Sequence, residues 1–167
     1  RFAAADATRL PFGGTTFDVI TCLGVLEYIP DPQRVLEECA RVLRPGGWLI
    51  VSFPNRSSWF RTLSNLQTSA ERAAANMLNR LRGRPVSDAK PRYRHAQWSL
   101  TEAQRLLESA GFRPEATRFN TYGLWGQIGR RLNMSLCVAM SRRFAEPSAI
   151  SRNMAFTMVI RAVRRED

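Results

Sequence analysis

The sequence has 167 residues, 44% of them hydrophobic, and a formal net charge of +11. This length suits one domain with a substantial core, and no apolar run approaches the roughly 20 residues that a membrane-spanning helix needs. Three widely spaced cysteines (Cys22, Cys39 and Cys137) and a single histidine argue against a disulfide framework and against a histidine-based metal site. We therefore expect a cytoplasmic protein with reduced thiols and no bound metal.

The positive charge is concentrated in the later two thirds of the sequence. Residues 1–55 contain five arginines and six acidic residues, whereas residues 56–167 contain twenty basic and eight acidic residues. Such a surplus attracts anionic partners, which include nucleic acid, anionic lipid and phosphorylated substrates. An alternative explanation is compositional, because all but one of the basic residues are arginines.

The first third of the chain has the pattern of a βαβ unit. Two short apolar runs, 2–5 and 17–23, are predicted strands separated by a turn-rich connector. A helix with one apolar face follows, capped by Asp31 and ended by the Pro-Gly-Gly that begins at Pro45. Residues 48–53 are a further predicted strand, and a strand, helix and strand in this order indicate a parallel sheet.

The rest of the chain begins with a segment of different character. Residues 56–94 contain apolar positions at helical spacing, which predicts one amphipathic helix or a pair, followed by a proline-containing loop. Residues 99–110 form a predicted helix with a capping-box sequence at its start. Two predicted strands, about 113–121 and 154–163, flank a predicted helix at about 124–144.

Polar, small and aromatic residues stand where the early strands end. They are Asp6-Ala7, Leu23 to Tyr28, and Ser52 to Asn55. In open α/β sheets, ligands bind beyond the carboxyl ends of the strands, so these stretches could line one pocket. Taken singly, Asp6 could instead be a solvated turn acid, and Asn55 a turn former.

These stretches together resemble a known family. The sequence "DATRLPFGGTTFDVITCLGVLEYIPDPQRVLEECARVLRPGGWLIVSFPN" is similar to the second half of the class I S-adenosylmethionine-dependent methyltransferase domain, type 11. The shared pattern is D-A-x-x-L-P-F, F-D-x-V/I, L-x-x-I/V-x-D-P and R-V-L-x-P-G-G. The later "RHAQWSLTEAQRLLESAGF" resembles the family's H-x-x-x-[FW]-[ST] loop and the helix that ends in A-G-F.

The resemblance implies an α/β, Rossmann-like sheet that is mostly parallel, has an antiparallel last strand and follows the strand order 3-2-1-4-5-7-6. It implies one partial methyltransferase domain over residues 1–167, with 56–94 as a helical insertion or lid. The family's Gly-rich loop and ribose-binding acid would precede Arg1, so we expect a domain truncated at its N-terminus. With those parts missing, we expect the chain alone to be inactive.

The resemblance also implies the cofactor, S-adenosyl-L-methionine, and roles for five residues. Asp6 would accept a hydrogen bond from the adenine amine, and Ala7 would lie against the adenine ring. Leu23 would line the cofactor cleft and offer its carbonyl to the methionine ammonium. Tyr28 and His95 are the candidate catalytic residues at the mouth of the cleft. Tyr28 stands where many relatives have His, and its ordinary pKa of about 10 disfavours it as a general base.

The sequence favours a methyltransferase whose acceptor is a small or lipid-like molecule, with transient contact with a membrane surface. A nicotinamide-dependent Rossmann enzyme is disfavoured, because its G-x-G-x-x-G sequence is not present. A third hypothesis is a non-catalytic module that binds an anionic partner through its arginine-rich half. The basic residues have no interleaved aromatic platform, which argues against nucleic acid as that partner.

Overall fold

The computed structural model describes residues 3–83, 95–120, 139, 142–143 and 148–166. These residues form a four-stranded sheet with helices against it. In chain order the elements are β1 (Phe17–Cys22), a 3-10 turn (Leu26–Tyr28), α1 (Pro32–Val42), β2 (Leu43–Pro54), α2 (Trp59–Leu81), α3 (Leu100–Ser109), β3 (Phe112–Asn120), α4 (Ala149–Met154) and β4 (Thr157–Arg164). No helix in the described ranges is both long and apolar enough to cross a membrane.

The sheet has the strand order β1-β2-β4-β3. β1 and β2 are parallel, and β4 is antiparallel to both β2 and β3. Three strands therefore run in one direction and the last strand of the chain runs against them. This arrangement confirms the predicted fold class and corresponds to strands 4-5-7-6 of the family order.

The core lies on one face of the sheet. Leu49, Val51 and Phe53 point from β2 to the same side and are fully buried. Side chains of α1 and α3, including Leu36 and Leu107, belong to the same buried cluster. Burying these apolar side chains supplies the main stabilising free energy, about 1.5–3 kcal/mol for each large one.

α1 and α3 begin at the caps that the sequence predicts. The Asp31 carboxylate accepts a hydrogen bond from the Arg34 backbone N–H, and Pro32 occupies the first turn. Ser99 and Glu102 form the predicted capping box at the start of α3. Each cap satisfies backbone donors that have no partner inside the helix.

The Pro-Gly-Gly after α1 lies within β2 rather than in a separate turn. β2 starts at Leu43, and the pairing shifts from Phe17↔Leu43 to Val19↔Trp48, so the extra residues form a bulge. A Cβ at Gly47 would lie 2.8 Å from the Arg44 carbonyl oxygen, which is too close for any other residue. Glycine thus permits the strand to continue directly from the helix.

Two predicted strands differ from the structure. Residues 3–5 of the predicted strand 2–5 are exposed and form no strand, because no described strand lies beside them to take their backbone hydrogen bonds. The predicted strand 154–163 begins only at Thr157. Before it, Ser148 and Ser151 cap each other reciprocally and start α4. The predicted helix 124–144 falls almost entirely outside the described residues.

Candidate functional site

The carboxyl ends of β1 and β2 meet at one edge of the sheet. The backbone N–H of Gly24 donates a 2.8 Å hydrogen bond to the Ser52 hydroxyl, which ties the end of β1 to β2. Gly24 has a φ of +66°, a conformation that glycine adopts without strain. The chain turns there, and the preceding Leu23 is left with 55% of its surface exposed. Leu23 therefore lies at the strand end where a ligand could contact it.

The 3-10 turn places Tyr28 beside His95. Leu26 is fully buried and anchors the turn, whereas Tyr28 is 56% exposed. The Glu27 carbonyl accepts a 3.2 Å hydrogen bond from the Ala96 N–H, which holds the later segment alongside. The rings of Tyr28 and His95 meet edge to face, with their centroids 4.8 Å apart. The fold thus brings together the two residues predicted to be catalytic.

The end of β2 fixes the segment that carries His95. Trp98 donates its N–H to the Pro54 carbonyl at 3.0 Å, and its own carbonyl accepts from Arg56 at 2.9 Å. The Trp98 ring also packs edge to face on Phe53, with 5.4 Å between the centroids. His95 is therefore positioned by the sheet edge, although the residues before it are not described.

Asp6 is exposed and forms a local turn. One of its carboxylate oxygens accepts from the Thr8 backbone N–H at 2.9 Å and from the Thr8 hydroxyl at 2.8 Å. These bonds lower the pKa of Asp6 and keep it ionised. Ala7 is half-buried against the core. The recorded bonds of Asp6 go to its own turn rather than to Leu23 or the Tyr28–His95 pair.

An ion pair between buried Glu38 and exposed Arg41 holds the connector between Asp6 and β1. The Glu38 carboxylate accepts from the Leu10 N–H at 2.7 Å and pairs with Arg41 at 2.7 Å. Arg41 also donates to the carbonyls of Leu10 and Phe12. The sequence analysis missed this clamp, although a Glu and an Arg three residues apart on the helix could have indicated it.

Asn55 has a structural role at the same edge of the sheet. Only 1% of it is exposed. Its amide donates to the carbonyls of Arg152 and Ala155, and its oxygen accepts from the Ser57 N–H. Asn55 thus joins the end of β2 to the end of α4, and its polar atoms are used within the protein.

Glu27 is a further residue at this edge that the sequence analysis did not single out. Its Oε2 atom is buried and has no hydrogen-bond partner among the residues that the structure describes. Its Oε1 atom would lie 3.9 Å from a Cβ placed on Gly24, so the carboxylate sits against the turn after β1. The sequence pattern gave no sign of this, because the burial arises from how the turn packs.

Two cysteines lie near this edge and are free thiols. Burial, with the nearby negative charge of Glu27, raises the pKa of Cys22 to about 11. Burial is also the main cause that raises the pKa of Cys39 to about 12. Both thiols remain protonated at neutral pH, which confirms the prediction of reduced, buried cysteines for these two. Cys137 lies outside the described residues.

A shallow cavity of about 580 Å³ lies beside the His95 segment, between Gln97-Trp98 and α3. Arg56 and Glu102 both line this cavity and form an ion pair, with 2.6 Å between the guanidinium nitrogen and the carboxylate oxygen. Within the described ranges, no group of three histidine, cysteine, aspartate or glutamate residues could hold a metal ion.

Comparisons with known proteins agree with this geometry. Residues 1–51 match the methyltransferase domain family. A segment of 42 residues is 50% identical to the ubiquinone biosynthesis O-methyltransferase of Thiobacillus denitrificans and covers 25% of this chain but 18% of that enzyme. The match therefore spans less than a fifth of that relative's length.

Solved structures show the same fold over nearly the whole chain. A possible histamine N-methyltransferase of Thermotoga maritima aligns with a TM-score of 0.55 and 21% identity, over 96% of this chain and 62% of that one. The 1,6-didemethyltoxoflavin N1-methyltransferase of Burkholderia thailandensis, solved with S-adenosylhomocysteine, aligns with a TM-score of 0.54 and 16% identity, over 99% and 51%.

The sequence of residues 1–51 and the fold of the described chain are both similar to methyltransferase domains. Residues 1–51 supply β1, α1 and the first part of β2, and the described sheet has the strand order β1-β2-β4-β3, as the resemblance implies. The comparisons support S-adenosylmethionine as the cofactor of the domain.

Proposed function

We propose that the protein transfers a methyl group from S-adenosylmethionine to a small or lipid-like acceptor. The observation that carries this proposal is the contact of Tyr28 with His95 at the carboxyl end of β1. Two half-exposed polar rings converge there at the sheet edge where α/β proteins bind ligands. The family match to the segment that contains Tyr28 supports the same location.

The residues present fit the cofactor. Asp6 is ionised and exposed, so it can accept a hydrogen bond from the adenine amine. Ala7 is small enough to lie against the adenine ring, and exposed Leu23 would line the cleft. When bound, the cofactor supplies an electrophilic methyl group. The buried Oε2 of Glu27, which has no partner in the part of the chain that the structure describes, provides a further acceptor at the same edge.

Tyr28 and His95 would orient the acceptor and receive its proton. Methyl transfer needs the nucleophile held in line with the methyl carbon, about 3–3.5 Å away before attack. The Tyr28 hydroxyl can donate a hydrogen bond that fixes the acceptor. His95 can take the proton of an acceptor that carries one at neutral pH, a contribution of about 10²–10⁴-fold to the rate.

The acceptor that the relatives favour is a hydroxyl compound. The aligned relative is by name an O-methyltransferase of ubiquinone biosynthesis, and the family match over residues 1–51 includes the turn with Tyr28. Oxygen nucleophiles lose a proton on methylation, so a base at His95 would have a use. The tyrosine in place of the usual histidine supports an arrangement in which His95 alone is that base.

α2 would cover the acceptor. Trp59, Leu66, Met77 and Leu81 are all exposed, and their spacings of seven, eleven and four residues put them on one helical face. The helix starts four residues after Asn55 at the sheet edge, and the Ser58 hydroxyl ties that start to the Met154 carbonyl. Its apolar stripe suits a lipid-like acceptor, and exposed Arg80 in its last turn suits an anionic membrane surface.

Transfer of labelled methyl groups to fractionated cell extract tests this function. The protein as its gene encodes it should label a small-molecule fraction. His95→Ala should lower that rate at least tenfold with unchanged affinity for S-adenosylhomocysteine, whereas Asp6→Ala should weaken that affinity, because the adenine amine loses its acceptor. Arg113→Ala, at an exposed position of β3, is the control and should change neither the rate nor the affinity. Absence of any labelled product with cofactor bound would favour the non-catalytic module instead.

A further inference from the structure

Glu27 presents a buried acceptor that nothing described in the protein uses. Its Oε2 atom lacks a partner among the residues that the structure describes. A buried polar group without a hydrogen bond costs free energy, and a charged one costs more. Such a group at a ligand-binding edge indicates a donor that arrives with the ligand.

The position of the carboxylate narrows the choice of donor. It lies against Gly24, at the end of β1, and it directly precedes Tyr28. In the proposed function, Tyr28 lies at the mouth of the cleft and faces the methyl group. In S-adenosylmethionine a short carbon chain separates the sulfur that carries this methyl from the α-ammonium. A carboxylate beside Tyr28 is therefore close to the part of the cofactor that contains the ammonium.

The charge of the donor also matters. The α-ammonium is a cationic N–H donor, whereas the adenine amine and the ribose hydroxyls are neutral. An ionised donor and acceptor form the stronger hydrogen bond. An ammonium has three N–H groups, so it can bind the carbonyl of Leu23 and still donate to Glu27.

We propose, on the basis of the proposed function, that the carboxylate of Glu27 binds the α-ammonium group of S-adenosylmethionine. No positively charged protein group is recorded beside Glu27 among the described residues, so the ligand can supply the positive charge. Cys22, on the other side of the turn, is a buried neutral thiol that supplies no positive charge. The Glu27 carbonyl is already bound to Ala96, so the side chain and the main chain of one residue would join the ligand to the His95 segment.

Calorimetric titration of the protein as its gene encodes it tests this assignment. Two ligands are compared, S-adenosylhomocysteine and its analogue without the α-amino group. Glu27→Gln should weaken binding of S-adenosylhomocysteine about tenfold, because a charge-assisted bond is replaced by a neutral one. The same variant should bind the analogue within about twofold of the wild type, which is roughly 0.4 kcal/mol. Glu108→Gln, an exposed position on α3, should change neither affinity.

The melting temperature of the ligand-free protein is the second readout. Glu27→Gln should leave it unchanged or raise it, because the Oε2 atom has no hydrogen-bond partner among the described residues. A lower melting temperature would show that Glu27 stabilises the ligand-free protein, and this result would overturn the proposal. Equal losses for both ligands, or no loss for either, would also overturn it. If the wild type bound no S-adenosylhomocysteine, the proposed function itself would fail, which is a separate result.

Discussion

Glu38 and Arg41 form a 2.7 Å ion pair on α1. The Glu38 carboxylate also accepts a hydrogen bond from the N–H of Leu10, which lies 28 residues earlier in the chain. The side chain of Glu38 is 8% exposed, and that of Arg41 is 43% exposed. Together they satisfy the N–H and carbonyl of Leu10 and the carbonyl of Phe12. The pair thereby fixes the connector that runs from Asp6 and Ala7 to β1, so the position of the two residues proposed to bind the adenine depends on it.

Glu38→Gln should destabilise the protein. The variant keeps the shape of the side chain but removes the charge that the Arg41 bonds require. A hydrogen bond to a charged group contributes about 1.5–3 kcal/mol to stability. We therefore expect the variant to lower the free energy of unfolding by about 2 kcal/mol. Glu37→Gln, whose exposed carboxylate pairs loosely with Arg34 at 3.6 Å, is the control and should change it by less than about 0.5 kcal/mol. Equal denaturation midpoints for the two variants would contradict the clamp.

The same pair predicts a pH dependence of stability. Bonds from Arg41 hold the pKa of Glu38 at about 2, below its ordinary value of 4.5. A lowered pKa in the folded state stabilises the protein above pH 4.5 and ceases to do so as the pH falls toward 2. Thermal denaturation should therefore show a steeper loss of stability in this acid range for the wild type than for Glu38→Gln. Parallel curves would show that Glu38 titrates normally.

Asn55→Ala should destabilise the protein through the sheet edge. Its amide satisfies two carbonyls near the end of α4 and its oxygen satisfies one N–H, all at 2.7–3.0 Å. Removing it leaves these groups without their partner, which we expect to cost about 2–3 kcal/mol. Chemical denaturation measures the change. Asn79→Ala makes the same chemical change at a half-buried position on α2 and is the control. It should change the free energy of unfolding by less than about 0.5 kcal/mol.

The exposed stripe of α2 should affect acceptor binding and not folding. Leu66→Ser, Met77→Ser and Leu81→Ser in one variant should raise the KM for a hydrophobic acceptor at least tenfold, because apolar contact area is lost. Affinity for S-adenosylhomocysteine should stay within about twofold, or 0.4 kcal/mol. Ala75→Ser with Asn79→Ser, on the opposite face of the helix, is the matched control. An unchanged KM in the triple variant would show that α2 does not cover the acceptor.

Elements with strong local signals could be predicted from the sequence. α1 and α3 have caps and apolar spacing that act within one helix, and the periodicity of β2 depends on its own residues. The predicted strand at 2–5 failed because a strand depends on a neighbour as well as on composition. The early start of β2 depends on the close approach of Gly47 to Arg44 and Asp18, which only the folded chain creates.

The candidate site could be predicted in part for the same reason. Tyr28 and His95 were named from a family pattern, and their contact is a tertiary result that no local pattern contains. Asp6 was assigned a ligand role, and its turn with Thr8 became visible only in the structure. The orphaned oxygen of Glu27 and the clamp at Glu38 both arise from packing between distant segments, so the sequence alone did not reveal them.

Ultraviolet photolabelling with S-adenosylmethionine that carries a radioactive methyl group locates the reacting end of the cofactor most directly. Trypsin cleaves after Arg9, Arg34, Arg94 and Arg105, so Tyr28 lies in peptide 10–34 and His95 in peptide 95–105. We expect label in one or both peptides, and S-adenosylhomocysteine should compete it away. Competable label confined to peptides from β3 or β4, or label that S-adenosylhomocysteine does not reduce, would contradict a methyl-transfer site at Tyr28 and His95.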